Sequence, residues 1–168
     1  MQKYAVISSC GSYRHILTRI WNSRLPLMGF IQLNPSIADH EIDDPTLRRD
    51  MHFARREGFG GCQLTNLYDF RATSPKELAA AECPVSDKND GYICQMMREC
   101  DKTVAGYGTH KMAVKAEQDL FDLMDARDVL WCLGTTKGGM PRHPLYVKNE
   151  QPLIKYAECW DKEHAKVQ

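Results

Sequence analysis

Four short segments carry more polar chemistry than turns require: Asn34-Pro35-Ser36; Asn66-Leu67-Tyr68-Asp69-Phe70-Arg71; Gly106-Tyr107-Gly108-Thr109-His110; and GTTKGGMPRHPLY, from Gly134 to Tyr146. A side-chain amide carries both donor and acceptor, so Asn34 and Asn66 can each pair with a polar ligand edge or with backbone in a turn. Asn66 stands inside the apolar stretch LTNLY, where a polar side chain demands a partner, whether core or ligand. His143, directly before Pro144, cannot belong to a regular helix, and its imidazole is a candidate acid, base or donor. Pro35 and Ser36 shape the first loop, and His110 reads either as a site residue or as a helix start. Arg71, Lys137 and Arg142 are the cations best placed in sequence for an anion. Gly138-Gly139 would let backbone amides approach a phosphate, although the Walker spacing is absent. Tyr68, Phe70 and Tyr107 can stack on a base or pack a core.

The elements that would position these segments follow from hydrophobic runs and punctuation. Tyr4–Ser9 and Arg14–Trp21 flank the turn Cys10-Gly11-Ser12, which predicts an N-terminal hairpin. Apolar runs at Leu27–Leu33, Cys62–Leu67, Thr103–Tyr107 and Val129–Leu133 predict strands, and Leu145–Val147 a short one. Asp43-Asp44-Pro45-Thr46 reads as a helix start, with an Asp cap and proline in the first turn, and Gly58 ends that helix. Arg48, Arg49, Arg55 and Arg56 then read as its solvated face. Ser74-Pro75 opens a second helix, Ser86–Cys100 forms a third, His110–Met124 a fourth, and Pro152 to about Lys162 a closing one. Strands alternating with helices predict an α/β fold: three layers, a mainly parallel central sheet and helices on both faces. In such a sheet the ligand lies at the carboxyl ends of the strands, where all four polar segments fall.

Bulk properties narrow the partner. With 168 residues the chain reads as one domain, 1–168, and 43% hydrophobic with 26% charged residues is globular composition. Lys plus Arg and Asp plus Glu are both 22, so the net charge is zero. A protein that grips long duplex through phosphates shows a basic excess. Nucleic acid therefore enters only through a local patch, whereas a small nucleotide is not disfavoured. Seven cysteines without any C-x-x-C pair argue against a disulfide framework or metal site and for a reducing compartment. No apolar leader and no long apolar stretch is present, so a cytoplasmic protein without membrane contact is expected. Neither a metal nor another cofactor is expected, and the oligomeric state is open.

The string YRHILTRIW, FIQLNPSIAD, DDPTLRR, FARREGFGG, NLYDFRAT and CLGTTKGGMPRHPLY resembles an uncharacterised bacterial and phage family, domain of unknown function 1643, over nearly the whole chain. A more distant likeness carries chemistry. A strand into Asn-Pro-small, a strand with Leu-x-Asn, a strand into x-Gly and a later His-Pro is similar to the uracil-DNA glycosylase superfamily. That resemblance implies an enzyme of DNA repair or modification. It implies that Asn34 holds the attacking water, Asn66 reads the base and His143 stabilises charge on the departing base. The chemistry suits the residue types: cleaving an N-glycosidic bond leaves negative charge on the base, where an imidazole donor helps. The first loop departs from the efficient uracil-specific members in having Asn34 instead of aspartate. Because an amide cannot accept a proton, a general base would come from Asp39, Asp43 or Asp44. The expected function is recognition of a nucleobase, nucleotide, or single-stranded or flipped-base nucleic acid, with N-glycosidic hydrolysis as the candidate reaction. The alternatives are a non-catalytic module that sequesters a nucleotide or modified base, and a nucleotide-modifying enzyme on the same fold.

Overall fold

The computed structural model describes residues 1–36, 38–125 and 127–158. Among the described residues, seven strands form one sheet in the order β1-β2-β4-β3-β5-β6-β7. They are β1 (Gln2–Ile7), β2 (Arg14–Ile20), β3 (Leu27–Gln32), β4 (Gly61–Asn66), β5 (Lys102–Ala105), β6 (Val129–Cys132) and β7 (Ile154–Glu158). β1 and β2 form the antiparallel N-terminal hairpin, and the four apolar runs β4-β3-β5-β6 are mutually parallel.

The expectation of a mainly parallel sheet is overturned. β2 pairs antiparallel with β4, and β7 pairs antiparallel with β6, so with the hairpin three pairings are antiparallel and three parallel. The predicted closing helix is also replaced: residues 154–158 form edge strand β7, and 159–162 lie outside the described residues. Edge pairing against Val129–Cys132 overrides local helix preference there. Likewise Leu145–Val147 is not a strand, since Pro144–Tyr146 make a 3-10 helix begun by a proline that cannot donate to a ladder.

Helices cover both faces. α1 (Pro45–Arg56) begins as expected, with Asp44 accepting from the Leu47 backbone N–H, and ends at Glu57 before Gly58 at φ +84°. α2 (Pro75–Ala80) is capped by Ser74. α3 (Asn89–Glu99) starts three residues later than the sequence suggests: Ser86 donates its hydroxyl to Asp69 and accepts from the Lys88 and Asn89 N–H groups in a turn ahead of the helix. α4 (Lys111–Leu123) is capped by His110. Strand alternation splits the core. Leu17, Phe30, Leu64 and Val104 pack with α1 residues Leu47, Met51 and Phe53, while Ile16, Ile31 and Ala105 pack with Met96 of α3 and Leu120 of α4. Each such fully buried side chain contributes about 1.5–3 kcal/mol. α3 approaches so closely that a Cβ on Gly29 would lie 2.1 Å from the Met96 sulfur.

One irregularity directs the site. Val6 pairs with Ile16 but Ile7 pairs with Arg14, leaving His15 as an extra residue in β2. Such a bulge reverses the alternation beyond it. His15 therefore reaches Asp69 and stacks on Tyr92 of α3, while Arg14 turns to the α1 face beside Leu17 and Leu64.

Candidate functional site

β3 lies between β4 and β5 in the parallel core, so the chain leaves β3 toward one side and returns to its other side. At that reversal the loops after β3 and β5 diverge and open a crevice at the carboxyl ends. A cleft of about 450 Å³ occupies this position, within the size range of small-ligand sites. Of the residues singled out in sequence, Asn34, Ser36, Asn66, Tyr107, His110 and His143 line it together. The others do not. Pro35 offers its carbonyl to the Asn34 and Ala72 N–H groups, and the Tyr68 hydroxyl donates to Met112 O in the core. Arg71 donates to Gly11 O, Arg142 donates to Thr135 O, and Lys137 is exposed on the turn between Thr136 and Gly139.

The loop residues serve structure and cleft at once. Asn34 Nδ2 donates to Pro35 O at 3.0 Å and Ala72 O at 2.8 Å, stitching the loop after β3 to the loop after β4. Both amide protons are thereby used, and only Oδ1 remains, as an acceptor. His143 begins the 3-10 helix with Nδ1 accepting from Leu145 N at 3.2 Å, and His110 begins α4 with Nδ1 accepting from Met112 N at 3.3 Å. A ring whose Nδ1 accepts carries its proton on Nε2, so both imidazoles offer a donor there. Burial lowers the His143 pKa, against the opposing pull of Asp44, and favours the neutral ring. Tyr107 is buried, and its hydroxyl is drawn away to Glu117, which also receives the Tyr156 hydroxyl.

The floor comes from three strands and is charged. Arg14 is 3% exposed, and its Nη1 donates to Ala38 O at 2.8 Å while Nη2 donates to Asn66 Oδ1 at 3.2 Å. Arginine has donors only, so Asn66 must turn its oxygen to Arg14 and its amine the other way. Arg14 Nε and Asn66 Nδ2 are both buried without a partner among the described residues. Burial depresses the Arg14 pKa to about 10, partly offset by Asp44. Gln32, in register with Asn66, donates to both oxygens of buried Asp50 at 3.1 Å. Asp44 lines the cleft while one of its oxygens caps α1. The other two acids are engaged elsewhere: Asp39 Oδ1 accepts from the Glu41 and Ile42 amides, and Asp43 pairs with Arg19 and Lys3.

The arginines of α1 correct a sequence expectation, because they are not simply solvated. Arg49 donates to Pro144 O, Val147 O and Asn149 Oδ1, and Arg56 to Asn149 O and Gln151 O. Both guanidinium groups lie over the Phe53 ring. They strap the segment that follows His143 onto α1. The same segment puts half-exposed Leu145 and largely exposed Tyr146 at the cleft.

A family model described as "Protein of unknown function (DUF1643)" matches residues 14–145, and so spans the floor, the loops and His143. The chain belongs to the DUF1643 family. No curated protein and no solved structure matches the chain. The family match starts at Arg14 itself, a site residue that sequence reasoning missed along with Gln32, whereas Asp44 was one of the three acids named as a candidate base. The usable signal for Arg14 and Gln32 was the one applied to Asn66: a polar side chain set in an apolar strand.

Proposed function

We propose that this DUF1643 chain binds a base-bearing ligand in the β3/β5 cleft and hydrolyses its N-glycosidic bond. One observation carries the reading: Asn34, Asp44, Asn66 and His143, brought from separate parts of the chain, line one cleft of small-ligand size at the sheet's switch point. In the reaction, water adds to the anomeric carbon as the carbon–nitrogen bond breaks, and the base leaves with the bonding electron pair. Asn34 Oδ1 positions the water, the Asp44 carboxylate takes its proton, and the His143 Nε2–H meets the charge growing on the base. The distant likeness to the uracil-DNA glycosylase superfamily supports these roles for Asn34 and His143. Asp44 is chosen over Asp39 and Asp43 by its place in the lining.

Release of free base from nucleosides and single-stranded oligonucleotides, followed by chromatography, tests the proposal. His143→Ala should slow release roughly 100- to 1000-fold, the usual cost of one such donor, about 2.7–4 kcal/mol. Asp44→Asn keeps the helix cap, since asparagine caps as well as aspartate, and should abolish most of the rate while leaving stability near wild type. Asn34→Asp is not a route to a faster enzyme. A carboxylate there would face Pro35 O and Ala72 O with no proton to give either. A non-catalytic binding module is the second reading, favoured by Asn34 being spent on backbone and Asp44 on a cap. Base binding without release from any substrate would establish it and end the hydrolase.

A further inference from the structure

We propose that Arg14 and Asn66 form an oxyanion seat at the cleft floor, so that the ligand rests a negatively charged oxygen on Arg14 Nε and Asn66 Nδ2. The inference rests on the cleft being the ligand site, and it assigns the chemistry of the ligand's inner edge.

Buried guanidinium groups are normally paired with a carboxylate or hydrogen-bonded on every edge. Among the described residues, no carboxylate lies within ion-pair distance of Arg14, and Asp44 acts on it only through space. Arg19, five residues along β2 and fully buried, shows the ordinary solution: Nε and Nη2 both reach Asp43 at 2.8 Å. On Arg14 the corresponding Nε–H has no partner among the described residues. The neighbouring Asn66, 1% exposed, adds a second unpartnered donor, and Arg14 itself fixes that orientation by taking the amide oxygen. At Arg14 and Asn66 the floor therefore offers two buried donors and a positive charge, which a ligand satisfies only with an acceptor atom, while the neighbouring Gln32 Oε1 is itself an acceptor without a partner among the described residues. A charged oxygen answers both the geometry and the field. On the hydrolase reading the same seat receives the departing base as its oxygen gains charge, so Arg14 and His143 share the leaving group.

Thermal-shift titrations of the full chain with four probes test this: barbiturate, a planar heterocycle ionised at neutral pH; uracil, its uncharged counterpart; acetate; and inorganic phosphate. Barbiturate should bind at least ~10-fold more tightly than uracil, the margin expected when a hydrogen bond becomes charge-assisted. Asn66→Asp is the decisive variant, because it places a carboxylate of nearly the same shape against Arg14. It should remove barbiturate binding by at least ~10-fold without lowering the melting midpoint of the free protein. Arg14→Gln provides a second test if that variant misfolds, and should erase the preference for barbiturate over uracil. Equal affinity for the two heterocycles, or barbiturate binding that survives both variants, overturns the seat. Base release that Arg14→Gln leaves untouched also overturns it while sparing the hydrolase. Barbiturate binding without base release keeps the seat and sinks the hydrolase. Acetate or phosphate binding that Asn66→Asp abolishes, with no heterocycle bound, keeps the seat and transfers the ligand from bases to small acids.

Discussion

Two buried arginines mark the two ends of β2, and the protein treats them differently. At one end Arg19 is closed: Asp43 takes Nε and Nη2, Thr18 O accepts from Nη1, and Asp39 O accepts from Nη2 as well. At the other end Arg14 is open, held by one carbonyl and one amide oxygen, with Nε unpaired. Both lie on the α1 face, but Arg19 is there by ordinary alternation with Leu17, whereas Arg14 is there only because His15 bulges. A closed buried charge fixes the chain path: Arg19 pins the loop carrying Asp39, Ile42 and Asp43, which ends at the Asp44 cap. An open one leaves a buried donor free, which is the feature on which the proposed oxyanion seat rests.

The largest expected effect follows from this contrast. Arg19→Met should destabilise by about 3–5 kcal/mol, the typical cost of breaking a buried pair, because it leaves Asp43 with Lys3 alone and strands three carbonyls. Arg14→Met should cost less, about 1–3 kcal/mol, since it strands Ala38 O and the Asn66 amide oxygen but also removes a buried charge that has no ion-pair partner among the described residues. Urea midpoints measured on both variants decide the point. Equal losses would mean that Arg14 is as structural as Arg19.

A smaller effect is expected at the strap. Arg49→Ala removes three hydrogen bonds to the segment after His143 and one contact with the Phe53 ring, which should cost about 1–3 kcal/mol. The variant should also displace the His143 ring from the cleft. Amide hydrogen exchange over residues 143–149 measures the loosening, and unchanged protection there would refute the strap.

What the sequence conveyed well was local. Asp44-Pro45 and Ser74-Pro75 begin helices because cap and proline act within one turn. The four parallel strands are near-continuous apolar runs, which only a two-sided burial explains. The flanking strands were different. Nothing local tells β2 to run antiparallel beside β4, or Ile154–Glu158 to close the far edge on β6, since both depend on partners distant in the chain. The same division holds in the cleft. Asn34, Asn66 and His143 announce themselves by a loop motif, a misplaced polar group and a proline context. Arg14 faces the cleft because of a one-residue bulge, and alternation alone would have put it on the opposite face with Ile16. Arg71, Lys137 and Arg142 are close to site residues in sequence, yet their loops carry them away from the lining.

The last prediction concerns two acids of the same region, whose proton affinities shift in opposite senses. Burial of Asp43 works to raise its pKa, but Arg19 and then Lys3 outweigh it and hold the carboxyl below its ordinary 3.8. Asp43 therefore contributes stability that is present above pH 3.8 and lost as pH falls through its lower folded value. Asp50 is the reverse case. Complete burial, with a smaller push from Asp44, drives its pKa well above 3.8 despite the Gln32 hydrogen bonds and the field of Arg14 and Arg49. The fold favours its protonated form, so its contribution is full below pH 3.8 and is lost as pH rises toward the folded value. Asp43→Asn should flatten the acid side of a plot of urea midpoint against pH, whereas Asp50→Asn should leave the acid side alone and flatten the decline above it. If Asp50→Asn instead lowers stability more at high pH than at low pH, the carboxyl is ionised in the native state. Its charge would then supply the counter-ion that Arg14 otherwise lacks, and the two ends of β2 would be closed alike.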